Sequence, residues 1–440
     1  MQINQLFKQA PLVNSDELPA TKNWHYWLLV GLLAYILIGQ AYSWMQGFTP
    51  LGFDFGELYT AGERLNHGGV LYSDVDIHGK QCQPYVLPPL LGILSRPLAL
   101  LTFKQALNVW FVVMIASVIS GVALYAKSLS RRIDPILVCL FLITGFRTWP
   151  ATMEFSLANC TFLVFFFVCS LYFLSASSRF RWATAAIIAA GLVKTWAIGL
   201  IGCLVVKRRW KEAAACLGVW ILSLVGLFAV IGFKEFSGFL QMTSIFTGGV
   251  DNIKPAHSVI GFARLHFSPN KYVVPLIDSQ AVMIAFIVCG ALVLASGLIY
   301  VYLRPAKNTY EDRLQISIVV TSMLLSMPFC DVEYLVICAP AVWTLLIPHK
   351  DLNKKVSIFS CTAAVVLYLA SMRIAASTSW MENGLAQTSG LKSLLVSDGF
   401  LWLTGLWCSL IFTFWFRNSV RPKEAAASTL HQQEMALSHG

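Results

Sequence analysis

Runs of about 20 mostly apolar residues, each closed by a short polar or basic stretch, recur from Trp27 to Phe416. A helix needs a run of about that length to cross the hydrocarbon core of a bilayer. The pattern predicts spans at roughly 27–45, 106–126, 135–147, 158–175, 213–232, 279–303, 314–328, 335–348, 355–372 and 398–416. A transmembrane β-barrel would alternate apolar and polar positions, whereas these runs are continuous. The chain therefore reads as an all-α polytopic membrane protein, a bundle of about ten to twelve transmembrane helices.

Composition sharpens this reading. Of 440 residues, 57% are hydrophobic and 12% charged, and the mean hydropathy is +0.66, which excludes a soluble enzyme on a single anchor. The net charge of +10 would suit nucleic acid, but the basic residues sit in short clusters between apolar runs, such as Lys127, Arg131 and Arg132, or Lys207, Arg208, Arg209 and Lys211. Such clusters set orientation in a membrane and offer no continuous face for a phosphodiester backbone, so no nucleic-acid partner is expected. Residues 1–26 read as a polar cytoplasmic tail, 27–416 as one transmembrane domain whose first run is an uncleaved anchor, and 417–440 as a second cytoplasmic tail.

Residues 183–206 are the ambiguous segment, because basic clusters flank both ends. A hairpin that turns back near Gly191 to Lys194 keeps both clusters in the cytoplasm. With that choice the cytoplasmic side carries 20 Lys and Arg against 9 Asp and Glu, and the outer side 11 against 13. The expected location is a cell (inner or plasma) membrane. Its outer face holds the longest polar segments, a first loop over 46–105 and a second over 233–278, together with a bend at 146–157 and a loop at 373–397. Loops this long in a helix bundle are usually functional. Within the first, Gly56 to Asn66 reads as an amphipathic helix and Leu87 to Leu101 as an apolar interfacial one. Ten of the 11 cysteines lie in or beside apolar runs and only Cys82 in a polar loop, so neither a disulfide framework nor a zinc site is expected.

A few residues carry chemistry. Asp54 lies just beyond the first span between Phe53 and Phe55, where partial desolvation makes a carboxylate a better base. It also suits the cap of the following helix, and the two roles are compatible. Lys194 stands in the middle of an apolar stretch, a placement that costs roughly 2.5–3.5 kcal/mol and calls for an anion, either Glu154, Asp331 or a lipid phosphate. In the second loop His257, Ser258 and Arg264 form a phosphate-type donor set near Lys254. Asp331 and Glu333 are alternate carboxylates just past another span, suited to a sugar, a cation or Lys194.

The order of DFGELYTAGERLNHGGVLY, YVLPPL, GLVKTW before a basic loop, the Ser and Arg loop, and MPFCDVEY resembles glycosyltransferase family 87. The most specific elements are Asp54, Ala61 and Gly62, Gly69 with Leu71 and Tyr72, then Tyr85, Pro88 and Pro89. The chain departs from the family where Ser156, Leu157 and Ala158 precede Asn159, where Thr195, Trp196 and Ala197 follow the lysine, and where Ala256 and His257 precede Ser258. The resemblance implies a GT-C-type bundle that moves a sugar, such as mannose, from a polyprenyl-phosphate donor to a glycan or glycolipid acceptor at the outer face. It also implies Asp54 as the catalytic base. Lys194, His257 and Arg264 then fall to the donor phosphate, and Glu57, Tyr59, Tyr85, Asn159, Asp331 and Glu333 to the acceptor or cavity. A lipid-phosphate donor carries its own leaving group, so no nucleotide loop, cofactor or metal is required. The competing readings are a transporter or flippase of lipid-linked or anionic solutes, and a lipid-linked glycan polymerase or ligase. Against the transporter, no second copy of the first-loop or KTW pattern occurs.

Overall fold

The computed structural model describes residues 52–129, 135–248, 257–347, 354–371 and 397–417, apart from positions 75, 81, 83, 147, 271 and 272, with Gly31, Tyr35 and Leu394 besides. Apart from Gly31, Tyr35 and Arg417, the expected first span and both tails lie outside these residues. The described chain is helical throughout, with no strand among its elements. In order the helices are α1 Phe53–Asn66, α2 Pro89–Leu94, α3 Phe103–Leu129, α4 Pro135–Phe146, α5 Trp149–Leu157, α6 Thr161–Ala176, α7 Phe180–Val193, α8 Gly202–Val206, α9 Trp210–Ile231, α10 Lys234–Gly248, α11 Val259–Phe267, α12 Gln280–Leu303, α13 Thr309–Ser326, α14 Ala339–Leu346, α15 Lys354–Ser371 and α16 Asp398–Arg417. Two 3₁₀ segments, Thr195–Ile201 and Val332–Cys338, lead into α8 and α14.

Five of these helices (α3, α9, α12, α15 and α16) are long and apolar enough to cross a membrane. A sixth crossing is available if Pro135–Gly145 and Trp149–Leu157, bent by 81°, form one broken span. The other expected crossings are present as helices that are shorter or more polar. Burial sorts the long ones. Only 11% of the apolar window is buried in α9 and in α12, so most of their side chains face outward, as lipid contact requires, against 44% in α3. The centre is α13, buried on every face from Tyr310 to Leu325 although its first turn carries Glu311, Asp312 and Arg313. The side chain of Asn308 caps it, accepting from the N–H groups of Tyr310 and Glu311.

One side of α13 meets an aromatic core in which Phe141 stacks on Trp343 at 4.6 Å and Tyr125 meets Tyr172 edge-on at 5.2 Å. The hydroxyls in this core are satisfied, Tyr125 with Thr344 and Tyr172 with Ser317, both at 2.9 Å. The other side receives the 194–206 arm. At Gly199 a Cβ would lie 2.8 Å from Met323 Cγ, so only glycine admits that approach.

Residues 183–206 form a hairpin. The thiol of Cys216 reaches the Thr184 carbonyl and Gly191 packs against Trp220, so α7 and α9 run parallel. The arm between them has to return to the level where α7 began, and there the Arg209 guanidinium lies 4.2 Å from the Phe180 ring centroid. Lys194 is the apex, extended at φ −135° and ψ 119° between α7 and the 3₁₀ turn.

Candidate active site

Helix α1 begins at Phe53, behind Gly52, whose φ of 83° is a left-handed turn. Asp54 therefore lies inside the first turn. The reading of Asp54 as a cap is corrected here: Gly52 holds the cap position and no side chain caps this end. Instead the Asn159 side-chain amide donates to Asp54 Oδ2 at 2.5 Å. Asn159 is itself fixed, since its oxygen accepts from the Cys160 N–H at 2.6 Å. Its loop is stitched to the rest by the Gly52 N–H on the Ser156 carbonyl and the Trp110 indole N–H on the Ala158 carbonyl. Of the two phenylalanines beside Asp54, Phe55 is fully buried against Tyr59, Phe103 and Trp110, while Phe53 is exposed.

Lys194, 2% exposed at the hairpin apex, holds its ammonium 4.0 Å from the Tyr334 ring centroid, and Trp196 lies against the same ring at 5.1 Å. Among the described residues no carboxylate reaches within 4 Å of it. The carboxylates act from further out: Lys194 and Asp54 exert their charges on Glu154 and on Glu333, and Asp331 adds to the latter. Asp54, Glu154, Asp331, Glu333 and Lys194 thus share one electrostatic neighbourhood, assembled from α1, α5, the hairpin apex and the 3₁₀ turn after α13.

Polar atoms lacking partners gather here. Glu154 is fully buried, and Oε1 accepts from the Phe162 N–H, while Oε2 has no partner among the described residues. The same is true of the Trp196 indole nitrogen, and also of His257 Nδ1, which lies against Gly399 of α16 and not toward Lys194. A buried polar group without a partner costs about 1–3 kcal/mol, so such a group asks for a ligand. His257 is tied in through its backbone N–H, which donates to the Cys330 carbonyl beside Asp331 at 2.7 Å. Ser258 caps α11 through the Gly261 N–H. Arg264 lies in the last turn of α11 and is half-buried.

The remaining candidates occupy the scaffold. Glu57 lies one turn from Asp54 and exerts its charge on Tyr85. Tyr59 donates to the Leu101 carbonyl and packs on Phe103. Tyr85 is buried, donates to the Pro88 carbonyl at 2.6 Å and accepts from the Gly92 N–H at 2.8 Å, which pins the start of α2. Gly62 admits α2, because a Cβ there would meet the Ser95 carbonyl oxygen at 2.6 Å. Sequence reasoning missed Tyr334 and Trp196, and it saw Glu154 only as a partner for Lys194. It also missed Glu235, buried on α10, whose Oε2 accepts from the Leu71 and Tyr72 N–H groups and so joins the first loop to the second.

The two histidines of the second loop are neutral at physiological pH. Burial pushes His257 and His266 down to about 4, and His266 shares a 2.7 Å hydrogen bond with Ser397. Unfolded histidine titrates near 6.5, so between about pH 6.5 and 4 the unfolded chain binds more protons and stability falls as pH falls. Thermal melting should drop over that window and less steeply for His266→Asn. An identical slope in the variant would reject this origin.

An all-α membrane bundle with a carboxylate, a buried lysine and orphaned polar atoms in one cluster is equipped for group transfer at a membrane. A sequence profile of glycosyltransferase family 87 matches residues 85–328, more than half of the chain, and the chain belongs to that family. It is thus a membrane glycosyltransferase. No curated protein and no solved structure matches it. The matched region contains Tyr85, Asn159, Lys194, His257 and Arg264 but not Asp54, which is joined to it by the Asn159 hydrogen bond.

Proposed function

We propose that this glycosyltransferase moves a hexose, such as mannose, from a polyprenyl-phosphate donor to a glycan or glycolipid acceptor at the outer face of a cell membrane, with inversion at the transferred carbon. The observation that carries the reading is the pairing of a base and a cation in one cluster. Asp54, oriented by Asn159 at 2.5 Å, shares it with Lys194, a buried ammonium that no carboxylate contacts among the described residues.

In this reading Asp54 takes the proton of the attacking hydroxyl as that oxygen bonds to the anomeric carbon, and the donor phosphate leaves from the opposite face with the bond's electron pair. General-base help of this kind is worth about 10²–10⁴ in rate. Asn159 donates to one carboxylate oxygen and so fixes the plane of the carboxylate that meets the acceptor. Lys194 stabilises the charge that develops on the departing phosphate, with Arg264 as a second cation from α11. His257, neutral at pH 7, can contribute a hydrogen bond and not a charge. Glu154, Asp331 and Glu333 suit sugar hydroxyls, which donate hydrogen bonds to carboxylates.

Membranes carrying the protein, supplied with a panel of polyprenyl-phosphate sugars and acceptor glycolipid, should release polyprenyl phosphate from one donor with matching sugar incorporation. Release from none of the panel, with transfer from a nucleotide sugar instead, would reject the donor class.

A further inference from the structure

At the other end of α13, about 20 Å along its axis from the cluster around Asp54, lies a set of charges that transfer chemistry does not use. Two are paired: Lys207 with Asp312, which also accepts from the Ser175 hydroxyl at 2.6 Å, and Arg417 with Glu311 at 2.9 Å. Both carboxylates are thereby engaged. Arg313, only 6% exposed, has no carboxylate partner among the described residues. Its Nε finds no hydrogen-bond partner among the described residues, and its guanidinium lies 5.6 Å from the ring centroid of Tyr310, within reach of Tyr125 and Tyr172. Arg417 approaches the same Tyr310 ring at 5.2 Å. Lys127, over the Phe173 ring, and Arg179 add further positive charge to this end.

Three costs fall on Arg313 together. An arginine cannot escape burial by losing its proton, its buried Nε has no hydrogen-bond partner among the described residues, and it sits in the first turn of an 18-residue helix, where the helix dipole is already positive. The aromatic face of Tyr310 offsets part of this. An anion would offset the remainder, and the planar fork of a guanidinium matches phosphate oxygens two at a time.

We propose that Arg313 is the centre of a second, non-catalytic anion site that takes a phosphate group, the headgroup of an anionic phospholipid at this end of the bundle. A lipid can deliver its phosphate to the rim of a bundle with its chains still in hydrocarbon, and the apolar outer faces of α12 and α15 beside this end suit those chains. The site is independent of the donor reading, because its readouts are stability and lipid retention.

The test uses the full chain purified in detergent. Its melting temperature is followed with phosphatidylglycerol, with phosphatidylcholine and with inorganic phosphate, alongside native mass spectra of retained phospholipid. Phosphatidylglycerol should raise melting by about 3 °C or more and phosphatidylcholine by less. Arg313→Gln should lose the shift and the retained lipid, and Arg313→Lys should keep part of both. A shift produced in full by millimolar inorganic phosphate, and lost in Arg313→Gln, would support the phosphate site with a free anion as its occupant. A wild-type protein that retains no phospholipid and melts alike in every condition would overturn the proposal, as would a lipid shift that survives intact in Arg313→Gln. Should the Gln variant fail to fold, undiminished retention and shift in Arg313→Lys, which lacks the fork, would count against it equally.

Discussion

Asp54→Asn should leave the protein folded and inserted while lowering sugar transfer about a thousandfold, within the roughly 10²–10⁴ expected for loss of a general base. The substitution is conservative where the structure is concerned. Helix α1 is capped at Gly52, so no capping bond is lost. The side-chain oxygen of an asparagine can still accept from the Asn159 amide that now holds Oδ2. The favourable charge of a carboxylate in a first helical turn is worth about 0.3–1 kcal/mol, too little for its loss to unfold a bundle of this size. What disappears is the oxygen basic enough to take a hydroxyl proton. Turnover measured at equal membrane abundance, with melting temperature as a control, separates the two effects. Near-normal turnover in a well-folded variant would remove Asp54 from the chemistry and direct attention to Glu333.

How far the sequence could be read differs between the spans and the site, for physical reasons. Apolar runs announce membrane helices because hydrocarbon tolerates little else, and α9 and α12 fall within three residues of the expected bounds. The start of α13 was harder: the run predicts 314, yet the helix begins at Thr309. Its polar first turn is made tolerable by Lys207 and Arg417, which no local pattern can reveal. The hairpin at Lys194 was legible from flanking charge alone.

In the site, residues that are chemically unusual for their surroundings were found, namely Asp54 and Lys194. Residues made important only by tertiary contact were not. Tyr334 matters because Lys194 lies over its ring, and Glu235 because two backbone N–H groups from the first loop point at it. The reverse also occurs. Tyr85 is conspicuous in the first loop because of the Pro-Pro that follows, but its hydroxyl is already engaged on both sides. A motif can mark the brace of a site as well as the site itself.

Lys194→Gln should weaken binding of a polyprenyl monophosphate by about ten- to a hundredfold, the equivalent of roughly 1.4–2.8 kcal/mol for one charge-assisted contact, and leave acceptor binding nearly unchanged. An ammonium 2% exposed in an apolar bundle must be offset, and in the structure its nearest named neighbour is the face of Tyr334, with Glu154 and Glu333 acting only from beyond 4 Å. That arrangement offsets the charge in part and leaves the ammonium able to meet an incoming anion. A protein that used Lys194 purely as a brace would close Glu154 upon it, and Glu154 Oε2 would not be left without a partner. The two roles give different signatures. If the lysine meets the donor, affinity for the lipid phosphate falls while the melting temperature moves little, and combining the change with Arg264→Gln costs less than the sum of the two wherever both cations touch one phosphate. If it is a brace, the melting temperature falls, lipid-phosphate affinity holds, and Glu154→Gln, by removing the buried carboxylate left behind, recovers the lost stability.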